Sequence, residues 1–302
     1  MINRYSFPKH LLVGLNKVFG DAYADHEPQW SKIFDNPKST KAFEEDQEII
    51  GLGHARQTAE GESVQYETAG EGSTTRYTHV KLTHGFQITR EMVDDNQYLS
   101  IAPRLVRSMV RGNMQTKETR AANVFNNGFN SSYTGGDGKA LLATDHPNAR
   151  GTWSNKAGTP VDLSEAALES ALTAISQFTD GRGMKILVKP KMLLVAPAND
   201  FNASRILTSS RGRVGNNHND KNVIYDEGRI PGGYSVNHYL TDDDAWFIIT
   251  DLPDTFKLFQ RQKLEQKHME DGEREVFKYW TSERYSVGWT DPRGVYGSEG
   301  AA

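Results

Sequence analysis

Residues 101–128 read IAPRLVRSMVRGNMQTKETRAANVFNNG, and this stretch decides the architecture. Ala102, Val106, Met109, Val110, Met114, Ala121 and Phe125 recur at spacings of three, four and seven, the period of one helix face, with Leu105 widening the stripe. Ser100 stands where a cap belongs. Pro103 falls in the expected first turn, where a missing N–H is harmless, and Asn126-Asn127-Gly128 offers a stop. At about 1.5 Å per residue, Ile101 to Phe125 makes a rod on the order of 38 Å.

Upstream the pattern changes. Residues 1–50 carry short apolar pieces, Leu11 to Phe19 and then Trp30, Ile33 and Phe34, broken by charges and by Pro28 and Pro37. They predict one amphipathic helix near residues 9–24 followed by an extended arm, with too few apolar residues for a domain. From Glu62 to Ile88 apolar and polar residues alternate around Ala69-Gly70-Glu71-Gly72, which predicts a long polar β-hairpin turning at Gly70 or Gly72. A two-stranded ribbon is marginal alone in water, so this one must lie against another surface. A short helix over about Arg90 to Tyr98 precedes the rod.

Downstream, residues 129–160 are rich in Gly, Ser, Thr and Asn and read as loops, with one short strand near Ala140 to Ala143. Asp162 then opens a helix as its cap, with Glu165 three residues on and Val161 and Ala166 as a staple. Ala167, Leu168, Ala171, Leu172 and Ile175 supply the buried face and Gly181 the end. A buried strand (Met192 to Ala196), a helix (about Asn199 to Thr208), an exposed polar loop (Arg211 to Asn222) and two strands (about Tyr234 to Leu240 and Trp246 to Thr250) complete an α+β unit over 161–250. Phe256 to Met269 and Val276 to Trp289 alternate as a second long ribbon joined at Asp271-Gly272. The chain thus leaves one unit near residue 160 and returns to it near 251.

Composition narrows the functions. The 302 residues hold 35 Lys and Arg against 39 Asp and Glu, a net charge of −4 that excludes a globally basic nucleic-acid coat. The absence of Cys excludes disulfides, thiolate metal sites and a Cys nucleophile. No apolar run approaches the 18 or so residues of a membrane helix, and Met1 to His10 lacks the apolar centre of a signal peptide, so a soluble protein kept inside a cell is expected. Counting Gly and omitting Tyr, the apolar fraction is about 41%, below the roughly 45–50% usual for globular chains, which fits a flat or arm-bearing shape.

The search for chemistry assigns no catalytic, cofactor-binding or metal-binding residue. The nine His are scattered, and none forms H-E-x-x-H. Gly51-Leu52-Gly53 and Gly70-Glu71-Gly72 lack the third glycine of a dinucleotide fingerprint. Gly135 to Lys139 approaches a phosphate loop, but Tyr133 and Ala140 stand at its first-Gly and Ser/Thr places. Asp145-His146 is an acid–base pair open to two readings, a hydrolase without an identifiable nucleophile or a turn locked by Pro147. Charge is more informative. Residues 57–80 carry Glu60, Glu62, Glu67 and Glu71 against Arg76, whereas the rod carries Arg104, Arg107, Arg111, Lys117 and Arg120 against Glu118. An acidic ribbon and a basic rod can be complementary between copies, or be two separately solvated faces, or the Arg104, Arg107 and Arg111 face can meet nucleic acid.

The order of parts is arm, projecting hairpin, long helix, Asp-His-Pro loop, inserted α+β unit and returning strands. With Ile88-Thr89-Arg90, Asp94-Asp95-Asn96, Ile101-Ala102-Pro103, Asn127-Gly128-Phe129, His146-Pro147 and the tail Arg284-Tyr285-Ser286-Val287-Gly288-Trp289, it resembles the major capsid proteins of tailed bacteriophages with the Hong Kong 97-type fold, closest in look to Mu-type major head proteins. The resemblance implies an N-arm (1–50), an extended loop (51–88), a peripheral domain with a spine helix (89–160), an axial domain (161–250) and peripheral return strands (251–302). It further implies self-assembly as hexamers and pentamers into an icosahedral shell around double-stranded DNA, a virion component assembled in the host cytoplasm without cofactor or enzymatic activity. A portal and a separate scaffold protein are the implied partners, and a decoration protein is left open.

In that family the extended loop crosses a neighbouring subunit, which places Glu62, Glu67, Glu71 and Arg76 at an inter-subunit contact. Some relatives cross-link through a Lys in this loop; residues 57–80 hold none, so non-covalent shells are expected. An encapsulin-like compartment is the rival of the same fold, and a hydrolase using Asp145 and His146 the rival of another class.

Overall fold

A computed structural model describes residues 7–24, 27–64, 66–95, 98–209 and 222–301. The rod is present as α3 (Tyr98–Asn126). Its buried stripe is Ala102, Val106, Met109, Val110, Ala121, Ala122 and Phe125, and the Gly128 N–H closes its end onto the Phe125 carbonyl at 2.8 Å. The helix starts earlier than expected, so Pro103 lies inside it and forfeits one intrahelical bond. The helix α1 (Phe7–Ala24) packs on α3 through Leu15, and α2 (Arg90–Asp94) is a single turn.

The ribbon requires a correction. The hairpin expected to turn at Gly70 or Gly72 does not form. Instead β1 (Phe43–Ile50) pairs antiparallel with β2 (Gly70–Thr78), from Phe43 opposite Thr78 to Ile50 opposite Gly70, and the chain between Ile50 and Gly70 is the connection. The following β3 (Val80–Thr89) leaves the ribbon, because Leu82, Phe86 and Ile88 can bury in the body. Hydrophobic alternation does not detect a strand at Phe43–Ile50, because its inward side chains are Glu44, Asp46 and Glu48, a polar phase.

The second ribbon forms as expected, β9 (Phe256–Asp271) with β10 (Val276–Trp289). Strand β3 adds to β10 to make an antiparallel sheet in the order β3-β10-β9. On one face Phe277, Tyr279, Thr281, Glu283 and Tyr285 are buried; Asn113 and Lys117 of α3 reach Thr281 and Glu283 from that side. On the other face Lys81 lies opposite Arg284, and Arg261 and Lys263 line an open groove with Arg284 and Glu265.

The remaining unit is a four-stranded sheet ordered β11-β8-β6-β7, built from β6 (Pro190–Val195), β7 (Tyr234–Val236), β8 (Trp246–Thr250) and β11 (Val295–Ser298). Its central strands are apolar on both faces. Met192, Leu194, Phe247 and Ile249 join the core around Phe125, Phe256 and Tyr285, while Leu193, Val195, Trp246 and Ile248 join a second core under α4 (Glu165–Ile175) and α5 (Asp200–Thr208).

Several local expectations change here. The tail does not end with the long strands, since β11 pairs with β8. Ser164, not Asp162, caps α4 by accepting from Ala167 N–H, and Asp162 accepts from Ala301 N–H at 2.8 Å. Helix α4 ends at Ile175, short of Gly181. The strand expected at residues 140–143 is buried irregular chain, and a small hairpin follows it, β4 (His146–Asn148) with β5 (Gly151–Trp153). Of the polar loop expected at Arg211 to Asn222, only Asn222 lies within the described residues; it caps α6 (Val223–Asp226).

Candidate assembly surfaces

The ribbon is rooted by the inward carboxylates of β1. Glu44 accepts from Ser39 Oγ at 2.7 Å, and this bond, assisted by Lys41, holds its carboxyl below the ordinary value. Asp46 meets Lys257 at 2.7 Å and accepts from Thr290 Oγ1 at 2.9 Å; the same Thr290 hydroxyl lies 2.7 Å from the Tyr77 phenol, which burial pushes up. Glu48 meets Arg293 at 2.8 Å. That guanidinium is itself 6% exposed, donates to the Thr179 carbonyl, pairs with Asp291 and lies over the Trp153 ring. Of the three successive inward positions, Asp46 and Glu48 thus bind different parts of the body, while Glu44 binds the adjoining arm segment.

Beyond the root the chain opens out. Leu52, Val64 and Tyr66 are 58%, 66% and 93% exposed. The four ribbon residues singled out from sequence are not brought to one place. Arg76 pairs across the ribbon with Glu45 at 2.6 Å and lies over Phe43. Glu62 accepts from Ala59 N–H, and Glu71 is exposed opposite Ile49. Glu67 accepts from Gly53 N–H at 2.8 Å and faces Arg182 of the 161–250 unit at 3.4 Å.

Arg104, Arg107 and Arg111 do share one exposed face of α3, without an ion pair among the described residues. The other basic residues of the rod are used within the chain. Lys117 is buried against Glu283 at 2.6 Å beneath Trp30 and Tyr285, and Arg120 lies over the Tyr285 ring. The neighbouring Glu118, 1% exposed, accepts from the N–H groups of Gln29 and Trp30 and so fastens the arm to the rod. Lys117 stands on the apolar stripe of the helix and Glu283 in the apolar phase of β10. That double mismatch was the available signal of a buried pair.

The acid–base reading of Asp145 and His146 is overturned by their geometry. Asp145 is exposed and bonded to Lys139, which lowers its carboxyl. His146 is 1% exposed, with Nδ1 2.6 Å from Asp137, Nε2 3.1 Å from Asn155 and its ring stacked on Trp153. Neither ring nitrogen is open to a substrate. Among the described residues no cluster of His, Asp or Glu could hold a metal ion, and no helix is long and apolar enough to cross a membrane.

The model of a family described as phage capsid protein matches residues 71–298. The chain belongs to that family: it is a bacteriophage capsid protein, a structural component of the virion and not an enzyme.

Solved structures share its mixed helix-and-sheet fold. The capsid protein of cyanophage P-SCSP1u is 10% identical, with 91% of this chain and 88% of that one covered and a TM-score of 0.59. The procapsid protein of bacteriophage JBD30 is 15% identical, with 100% and 77% covered and a TM-score of 0.54. A virus-like particle from Pyrococcus furiosus is 12% identical, with 94% and 97% covered and a TM-score of 0.53. At these identities the likeness establishes the fold alone. No curated protein matches the sequence.

Proposed function

We propose that the chain is the major capsid protein of a tailed phage, with the Hong Kong 97-type fold, assembling as hexamers and pentamers into an icosahedral shell around double-stranded DNA. The observation that carries the proposal is the ribbon. Its root is fastened by three carboxylates, while its distal Leu52, Val64 and Tyr66 have no core in their own chain. A surface of opposite charge exists on the same molecule, the groove of Arg261, Lys263 and Arg284 with Lys81 alongside.

Acidic, apolar tip on one copy and basic sheet face on the next form a heterologous contact, which gives rings where the rotation between copies closes on five or six. Each contact can be weak, because many neighbours bind at once. In this reading residues 1–42 are the arm, the β1–β2 ribbon the extended loop, α3 with the β3-β10-β9 sheet the peripheral domain, and residues 161–250 with β11 the axial domain. Arg104, Arg107 and Arg111 are placed for non-specific contact with packaged DNA. Scaffold and portal are expected as separate partners.

Negative-stain electron microscopy of the purified protein, alone and with candidate scaffold proteins, tests the assembly. Closed shells or rings of five and six are expected; discrete small oligomers in every mixture would refute it. Charge reversal of Glu62, Glu67 and Glu71 together should impair assembly and leave the subunit folded. Nucleic acid inside purified particles separates a genome shell from a cargo compartment.

A further inference from the structure

The turn at residues 180–184 is shaped to receive the ribbon of its own chain. Asp180 fastens the turn by accepting from the N–H groups of Arg182 and Met184. Gly181 leaves room for Ile50, whose Cγ1 would stand 3.0 Å from a Cβ at that position. From this turn Arg182 reaches across both ends of the distal loop, donating to the Thr68 carbonyl at 2.8 Å and facing Glu67 at 3.4 Å, while Glu67 accepts from Gly53 N–H at 2.8 Å. The clasp is incomplete. Arg182 Nε is buried without a hydrogen-bond partner, and the Arg182 and Glu67 side chains retain 28% and 29% exposure. A contact with one donor unmet is easily exchanged for a better one.

We propose that Arg182 is an autoinhibitory clasp, holding the ribbon against its own subunit and occupying Glu67 until a second copy offers a replacement cation. The inference rests on the ribbon being the assembly arm. While Glu67 is held in cis, only the fraction of subunits with an open clasp is competent to bind, and the apparent affinity between copies falls by that fraction. An ion pair this exposed commands a factor of about two to five. The clasp therefore delays association without forbidding it.

The test compares wild type, Arg182→Ala and Glu67→Gln by hydrogen exchange of the unassembled subunit and by the protein concentration at which half the material forms shells. Arg182→Ala should accelerate exchange at Gly53 and through residues 51–69, and lower that concentration about two- to fivefold. Glu67→Gln keeps the acceptor for Gly53 N–H but loses the charge needed by the second copy, so it should not lower it. A purely structural clasp would move both variants in the same direction, and that result overturns the proposal. So does an Arg182→Ala subunit with wild-type exchange, or one that assembles only at higher concentration. Absence of shells from wild type under every condition refutes the assembly reading itself, a separate outcome.

Discussion

Replacing Lys117 by Met removes one half of a deeply buried ion pair. Lys117 and Glu283 side chains are 10% and 6% exposed, their charges are 2.6 Å apart, and Trp30 and Tyr285 lie about the ammonium at 5.1 and 5.0 Å. In Lys117→Met the Glu283 carboxylate keeps only the Gln260 amide, 3.1 Å away, and remains sealed between helix and sheet. Breaking a buried pair from one side costs about 3–5 kcal/mol, because the remaining charge is uncompensated.

At about 2 °C per kcal/mol for a chain of this size, the unassembled subunit should melt about 6–10 °C lower. Removing both charges in Lys117→Met with Glu283→Leu should return stability to within about 1 kcal/mol of wild type, since apolar replacement of a buried pair is often neutral. Urea titration of the dissociated subunit, followed by circular dichroism, measures Lys117→Met, Glu283→Leu and the double variant and yields the coupling. If Lys117→Met costs less than about 1 kcal/mol, or if the double variant shows the two single losses added together, the pair does not hold the rod to the sheet.

Other consequences are as direct. Burial, and after it the charge of Arg284, hold the His79 imidazole below its ordinary 6.5, with Arg261 adding to the shift and Glu44 opposing it. The unfolded chain takes up that proton first, so stability present above pH 6.5 is lost as pH falls through the folded value. His79→Gln should flatten this limb of a pH–stability curve. Gly85→Ala places a Cβ 2.6 Å from Trp280 Cβ and 2.9 Å from the Tyr279 carbonyl; it should cost about 1–3 kcal/mol in urea midpoint measurements. Gly272→Ala, with nothing within 4 Å, should stay within about 0.5 kcal/mol. With no Lys in residues 57–80, boiled shells should run on a denaturing gel as one monomer band, and a ladder would show cross-linking through another Lys.

The rod, the second ribbon and the central strands were legible because each has one dominant period. Ala102 to Phe125 repeats at helical spacing, Val276 to Trp289 alternates, and Trp246 to Thr250 is an apolar run buried on both faces. What escaped is organised by polar groups. Strand β1 is a strand because Asp46 and Glu48 find Lys257 and Arg293, partners far along the chain, while Glu44 finds Ser39 nearby. Its polar alternation looks like solvated arm until those partners are known. The same holds for the surfaces: Glu67 was legible as acidic but not as occupied, since Arg182 is 115 residues away. Asp145 and His146, adjacent in sequence, do not act as a pair because each has its own partners, Lys139 for Asp145 and Asp137 with Asn155 for His146.

The last of these polar organisers is Asn155, at 0% exposure. Its amide nitrogen donates to the carbonyls of Leu141 at 2.8 Å and Pro292 at 2.9 Å, and its oxygen accepts from Ala143 N–H at 3.0 Å and meets His146 Nε2 at 3.1 Å. Gly297 N–H of β11 donates to its backbone carbonyl at 3.1 Å. One side chain therefore joins the buried segment after α3, the β4 turn and the tail that re-enters the β8 sheet. Asn155→Asp preserves the shape and inverts the nitrogen end, setting an acceptor against two carbonyls that no longer have a donor. Each buried group left unmet costs about 1–3 kcal/mol, so the change should cost about 3 kcal/mol or more and expose the tail beyond Thr290 to protease. Asn155→Leu strands those two carbonyls and also leaves Ala143 N–H and His146 Nε2 without the amide oxygen, so it should likewise cost about 3 kcal/mol or more. If Asn155→Asp were tolerated within about 1 kcal/mol with the tail still protected, the β11 pairing and the Arg293 and Asp162 contacts would suffice to hold the tail and the amide would be incidental.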